Sequence, residues 1–210
     1  MSLDKYIQAL AKGQNLTVEE SYLAATALLG DVEPVLAGSF LSLLHAKGET
    51  ADELLGFHRA LTGSSRKIQI DKPFIDIVGT GGDKAGTLNI STGGSLLVAA
   101  CGVPVIKHGN RAVSSSCGSA DVLAELGFNL NLSDEDVHHA IDNNQFAFLF
   151  APNFYPVLRK LNEVRRKLAT PTIFNLMGPL LNPAGRHHII LGVYQAKYVP
   201  VIAEALFKLG

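Results

Sequence analysis

Apolar and polar positions follow two different rhythms along this chain. In the first sixty or so residues Leu3, Tyr6, Ile7 and Leu10 recur at i, i+3, i+4 and i+7, the spacing of one buried helical face. Thr17 with Glu20, and Thr50 with Glu53, have capping-box spacing and predict the starts of a second and a fourth helix. Pro34 suits the first turn of a third, and Gly30, Gly48 and Gly63 stand where left-handed residues close helices. A polar hinge, Gly63-Ser64-Ser65-Arg66-Lys67, then ends the run.

Beyond the hinge the rhythm alternates between short apolar runs and helical segments. Strands are predicted at residues 74–78, 103–106, 128–132, 146–150 and 189–193. Helices are predicted at residues 91–100 and up to Gly127, after the Ser133–Asp136 cap, through residues 156–183, and from about Val199. This order indicates an α/β fold: a small all-helical domain plus a larger α/β domain with a mostly parallel sheet. The expected helical domain covers residues 1–63, joined by part of residues 156–183, and the α/β domain covers residues 70–210.

Composition narrows the chemistry. Hydrophobic residues make up 47% and charged residues 18%, an ordinary globular balance. A net charge of −1 offers no basic footprint for nucleic acid, so any anion site must be built locally. Glycines and Pro104 break the charge-poor stretch of residues 88–106, which argues against a membrane span. The opening residues lack the basic flank and apolar core of a secretory signal, and two cysteines make no disulfide framework. A cytoplasmic protein is the expectation.

Three polar segments fall where strands of an open α/β sheet deliver ligand-binding loops. The first is Gly79-Thr80-Gly81-Gly82-Asp83, whose glycines allow backbone N–H groups to approach an oxyanion. The second, Asn89-Ile90-Ser91-Thr92, opens a helix, where hydroxyl and amide groups cap the helix or meet phosphate. The third, Lys107 to Ser119, combines two cations with glycines and serines. The basic run at Arg159, Lys160, Arg165, Arg166 and Lys167 is by default a solvated helical face. There is no Gly-x-Ser-x-Gly elbow, Walker lysine motif or His-Glu-x-x-His helix.

These segments, with Gly118-Ser119-Ala120-Asp121 and the run Asn175 to Pro183, resemble the anthranilate phosphoribosyltransferase family in order and spacing. The resemblance implies a fold of the nucleoside phosphorylase/phosphoribosyltransferase type. It implies transfer of the phosphoribosyl group of 5-phosphoribosyl 1-diphosphate (PRPP) to the amine of anthranilate, with Mg²⁺, in tryptophan biosynthesis. PRPP would be held by Gly79, Gly82, Asp83, Thr87, Asn89, Ile90, Ser91, Thr92, Lys107, His108, Gly109, Asn110, Arg111, Ala112, Val113, Ser114, Ser115 and Ser119. Ser91 would touch Mg²⁺, and Gly79, Asn110 and Arg165 would hold anthranilate. No residue is expected to act as a covalent nucleophile; the chemistry rests on positioning and electrostatics.

A homodimer through the helical domain is also implied. Ser116 replaces the family's usual Lys or Arg, Cys117 its usual Ser, and Tyr155 a common His. The family's Mg²⁺-binding Asp-Glu pair is expected past Gly210, which would leave the α/β domain of this chain incomplete at its C-terminus. The alternative expectation is a non-catalytic relative that binds PRPP or another anion only. Pyrimidine nucleoside phosphorylases share the two-domain plan, but their loops do not match.

Overall fold

The computed structural model describes residues 2–81, 88–112, 117–185 and 188–210. It resolves into two compact units whose membership does not follow chain order. One unit comprises Met1–Ser64, Pro156–Leu181 and Gln195–Gly210; the other comprises Ser65–Tyr155 and Asn182–Tyr194.

The first unit is helical: α1 (Asp4–Ala11), α2 (Val18–Leu29), α3 (Pro34–Lys47) and α4 (Ala51–Gly63). Both capping boxes form: Thr17 Oγ1 accepts from the Glu20 amide, and Thr50 Oγ1 accepts from the Glu53 amide. Tyr6, Leu10, Leu28, Phe40, Leu44, Leu54, Phe57 and Leu61 are buried in this unit. Gly56 lets α4 touch α2: a Cβ there would lie 2.5 Å from Ser21 Cβ and 2.6 Å from the Tyr22 amide nitrogen. Of the three glycines expected to be left-handed, only Gly48 is (φ 90°). Gly63 is still within α4, and Gly30 ends α2 at φ −78°.

Residues 156–183, read as one helical stretch, are broken by their prolines into a 3-10 turn (Pro156–Leu161), α9 (Asn162–Leu168), α10 (Ile173–Met177) and a second 3-10 turn (Gly178–Leu180). The final helix, α11 (Tyr198–Leu209), lies in the 70–210 stretch assigned by sequence to the α/β domain. It packs instead on α4 in the helical unit, where Tyr198 Oη donates to Glu49 Oε2 at 2.8 Å.

The second unit contains β1 (Ile75–Gly79), α5 (Ile90–Ala100), β2 (Val105–Gly109), α6 (Ser119–Glu125), α7 (Asp134–Asn144), β3 (Phe146–Phe150), α8 (Ala151–Phe154) and β4 (His188–Gly192). The four strands form one parallel sheet in the order β3-β2-β1-β4, as the alternating pattern implies. Val105, Phe146 and Phe148 from the sheet pack with Ala99, Ala120, Leu123 and Leu130.

Residues 128–132 are not the strand the pattern predicts. Asn129 Oδ1 accepts from the Asn131 amide and turns the chain, while Phe128 meets Phe146 edge-on at 5.5 Å. β2 begins at Val105 rather than residue 103, because Pro104 has no N–H to give a ladder and contributes only its carbonyl, to Ile75 N at 2.9 Å.

Candidate functional site

β1 and β2 lie side by side at the centre of the sheet, and both end in the segments singled out by sequence. Their pairing is unusual. β1 is in register with β4 over five residues, and β2 with β3 over five, yet β1 and β2 pair only at Ile75 and Val105. Beyond that point side chains replace the ladder. Lys107 Nζ donates to the Ile77 carbonyl at 2.5 Å, and Asn182 Nδ2 donates to the Ile106 carbonyl at 2.9 Å. The His108 amide donates to Asp76 Oδ2 at 3.4 Å, and Asn182 Nδ2 also reaches that oxygen at 3.0 Å.

Asp76 is fully buried and Lys107 is 1% exposed. Burial pulls the Lys107 ammonium below the usual lysine range, and the neighbouring Asp76 charge opposes that shift. In this structure Lys107 lies within β2 rather than in the loop after it, and its ammonium bridges to β1. The sequence did contain a signal for Asp76, an acid in the middle of an apolar strand, and Asn182 stands in the run Asn175 to Pro183. Neither was expected to share one hydrogen-bond network.

The glycine turn leaves β1 at Gly79, and Gly81 takes φ 66°, a conformation that favours glycine. Between them Thr80 is buried; its amide donates to the Gly192 carbonyl at 2.9 Å and its hydroxyl accepts from the Tyr194 amide at 3.1 Å. The turn is thereby fixed to the end of β4. Gly82, Asp83 and Thr87 lie outside the described residues, as do Val113, Ser114, Ser115 and Ser116.

Asn89 precedes α5 but its side chain does not cap it. Its Nδ2 donates instead to the Cys117 carbonyl at 3.3 Å, joining the second segment to the third. Ile90 is largely exposed, Ser91 half-buried, and Thr92 buried. Among the described residues Thr92 Oγ1 has no hydrogen-bond partner.

The third segment folds back on itself. The Asn110 carbonyl accepts from the Ala120 amide at 3.2 Å and from Ser119 Oγ at 3.3 Å. Asp121 Oδ2 accepts from the Ala112 and Gly118 amides at 3.0 and 2.9 Å, and Oδ1 pairs with Arg111 Nη1 at 2.9 Å. The two amides, then Arg111, hold the Asp121 carboxyl below the usual carboxylate range. Arg111, expected to meet PRPP, pairs here with Asp121.

Two glycines permit this closure: a Cβ at Gly118 would lie 2.4 Å from the Ala112 nitrogen, and one at Gly109 2.9 Å from the Phe148 ring. The buried ring of His108 faces that of Tyr155 at 5.8 Å, and burial pushes the Tyr155 hydroxyl up to about 12.

Arg165 belongs to the helical unit. It is half-buried on α9, with its guanidinium 5.0 Å from the Phe174 ring centre, and burial lowers its pKa. Phe174 is in turn held edge-on by Phe57, which stacks on Phe40.

Among the described residues no three His, Cys, Asp or Glu side chains cluster as a metal cage. The hydroxyl oxygens of Ser91 and Thr92 at the start of α5 are oxygen ligands of the kind Mg²⁺ takes beside its own waters. Among the same residues, no helix is long and apolar enough to cross a membrane.

Comparison with known proteins places this architecture. Residues 4–65 match the helical bundle domain of the glycosyl transferase family, and residues 71–210 match its a/b domain. Anthranilate phosphoribosyltransferase of Anaeromyxobacter dehalogenans is 45% identical over 99% of this chain, which spans 62% of that protein. The crystal structure of anthranilate phosphoribosyltransferase from Thermus thermophilus superposes with a TM-score of 0.89 at 44% identity, over 97% of this chain and 63% of that one. The Saccharomyces cerevisiae enzyme in complex with PRPP and Mg gives 0.88 at 28% identity, over 99% and 62%. The chain thus spans less than two thirds of the relatives it matches. It belongs to the glycosyl transferase family with a helical bundle domain and an a/b domain, and the relatives it resembles there are anthranilate phosphoribosyltransferases.

Proposed function

We propose that this chain carries the phosphoribosyl-binding machinery of an anthranilate phosphoribosyltransferase of tryptophan biosynthesis. The reaction joins the amine nitrogen of anthranilate to C1′ of PRPP as the C1′–O bond to pyrophosphate breaks. The amine gives up a proton, and N-(5-phosphoribosyl)anthranilate and pyrophosphate leave. The observation that carries this reading is the convergence of the three segments at neighbouring strand ends, tied together by the Asn89–Cys117 hydrogen bond, in a chain so similar to these enzymes.

The chemistry asks little covalent work of the protein. Backbone N–H groups of the Gly79–Gly82 turn and the start of α5 would orient the phosphate groups. The Asn110 and Ser119 region would form the facing wall. Ser91 would help hold Mg²⁺, which when bound neutralises charge on the departing pyrophosphate, and Asp83 would meet PRPP. Arg165 would meet the anthranilate carboxylate. Anthranilate's aromatic amine is neutral near pH 7, so no strong base is required. A cytoplasmic homodimer paired through helical faces completes the reading.

The test is direct. The chain is incubated with anthranilate, PRPP and Mg²⁺, and anthranilate fluorescence is followed. Consumption of anthranilate with release of pyrophosphate is expected. Calorimetric binding of PRPP without turnover would instead establish the binding-only alternative.

A further inference from the structure

We infer that Asp76 and Asn182 form a positioning clip that holds the ends of β1 and β2 apart in the geometry PRPP needs. This inference rests on the proposed function above and adds residues to its site. In a regular parallel pair, Ile77 and the residues opposite it on β2 would exchange backbone hydrogen bonds. Here the Ile77 carbonyl, the Ile106 carbonyl and the His108 amide are each satisfied by a side chain: Lys107, Asn182 and Asp76 respectively.

The groups that replace the ladder are buried, so they are held by geometry rather than by solvent. Asp76 is fully buried and Asn182 is 8% exposed. Asn182 is itself fixed, its Oδ1 accepting from the Ala184 amide at 3.0 Å. One side-chain amide thus touches both strands, reaching Asp76 on β1 and the Ile106 carbonyl on β2.

The position of the clip gives it a role. Gly79, where the glycine turn begins, is three residues beyond Asp76; Gly109 and Asn110 follow directly on His108, whose amide Asp76 holds. If the ladder continued, the two strand ends would be drawn to ordinary sheet spacing of about 4.8 Å. The clip lets them diverge while the Ile106 carbonyl and the His108 amide each keep a partner, and it fixes the separation between the two walls that meet the donor. Asp76 and Asn182 touch neither PRPP nor anthranilate in this scheme; they act through the strand ends.

The experiment compares the unaltered chain with Asp76→Asn and Asn182→Ala. Each is titrated with PRPP and Mg²⁺ by calorimetry, while amide hydrogen exchange is followed by NMR. Leu44→Ala, in the helical core, serves as a generally destabilised control. In both variants PRPP affinity is expected to fall roughly tenfold, the scale of losing a buried hydrogen-bonded link. The His108 amide should lose protection while the β1–β4 ladder keeps its own, and Leu44→Ala should bind PRPP as the unaltered chain does.

Affinity within twofold in Asn182→Ala would overturn the inference, as would loss of protection across the whole sheet together. Should Asp76→Asn fail to fold, Asn182→Ala decides alone. Failure of the unaltered chain to bind PRPP would refute the proposed function itself, a result distinct from failure of the clip.

Discussion

The side-chain amide of Asn182 donates to the Asp76 carboxylate at 3.0 Å, joining residues 106 positions apart inside the sheet. The Asp76 charge also acts on the buried Lys107 ammonium, which itself donates to the Ile77 carbonyl, so three side chains occupy the place of backbone pairing between β1 and β2.

Burial makes Lys107→Met a demanding substitution. It removes the buried donor of the Ile77 carbonyl, a loss that costs about 1–3 kcal/mol when a buried acceptor is left unmet. Urea denaturation should show this loss. The double variant Asp76→Asn with Lys107→Met should recover part of it, because the buried Asp76 charge that the lysine offsets is removed as well.

Gly118→Ala tests the closed third segment. Its Cβ would meet three backbone atoms, at 2.4 Å from Ala112, 2.6 Å from Arg111 and 2.8 Å from Asn110, none of which can rotate away. A stability loss of about 1–3 kcal/mol is expected, with weaker PRPP binding by calorimetry. Gly63→Ala is the contrast. Gly63 is helical with open space around it, so thermal unfolding should show a gain of about 0.5–1 kcal/mol.

Acid should loosen this segment through Asp121. Its carboxyl has a folded pKa below the unfolded value, so the native state favours the ionised form. The stability it contributes is present above the unfolded value, about pH 4, and is lost as pH falls through the folded value. Hydrogen exchange at the Ala112 and Gly118 amides should therefore accelerate on acidification below about pH 4, and in Asp121→Asn the acceleration should disappear.

Phe174→Leu should act on anthranilate and spare PRPP. The ring that carries the Arg165 guanidinium is removed while an apolar side chain remains, at a cost of about 0.5–1 kcal/mol for a cation–π contact. Steady-state kinetics should show a few-fold rise in KM for anthranilate and an unchanged KM for PRPP. A matching rise in both would assign Phe174 to general packing.

Local chemistry made much of this protein legible. The capping boxes at Thr17, Thr50 and Ser133 form because each needs only residues three apart. The apolar strand followed by the Gly79-Thr80-Gly81 turn was readable for the same reason. The strand predicted at 128–132 failed because an apolar run cannot report that Asn129 turns it aside. Gly30 and Gly63 show the converse, since a glycine near a helix end permits a left-handed residue without requiring one.

By itself the sequence determined the two kinds of unit and the parallel sheet, and it marked three polar segments as candidates, because periodicity and short-range hydrogen bonding are written in neighbouring residues. Only the tertiary structure decided that α11 joins the helical unit, that Arg111 pairs with Asp121, and that Asp76, Lys107 and Asn182 stand in for a ladder. Those outcomes depend on burial and on partners far along the chain. A buried carboxylate or ammonium takes whichever donor or acceptor the fold brings within about 3 Å, and spacing along the chain does not encode that choice.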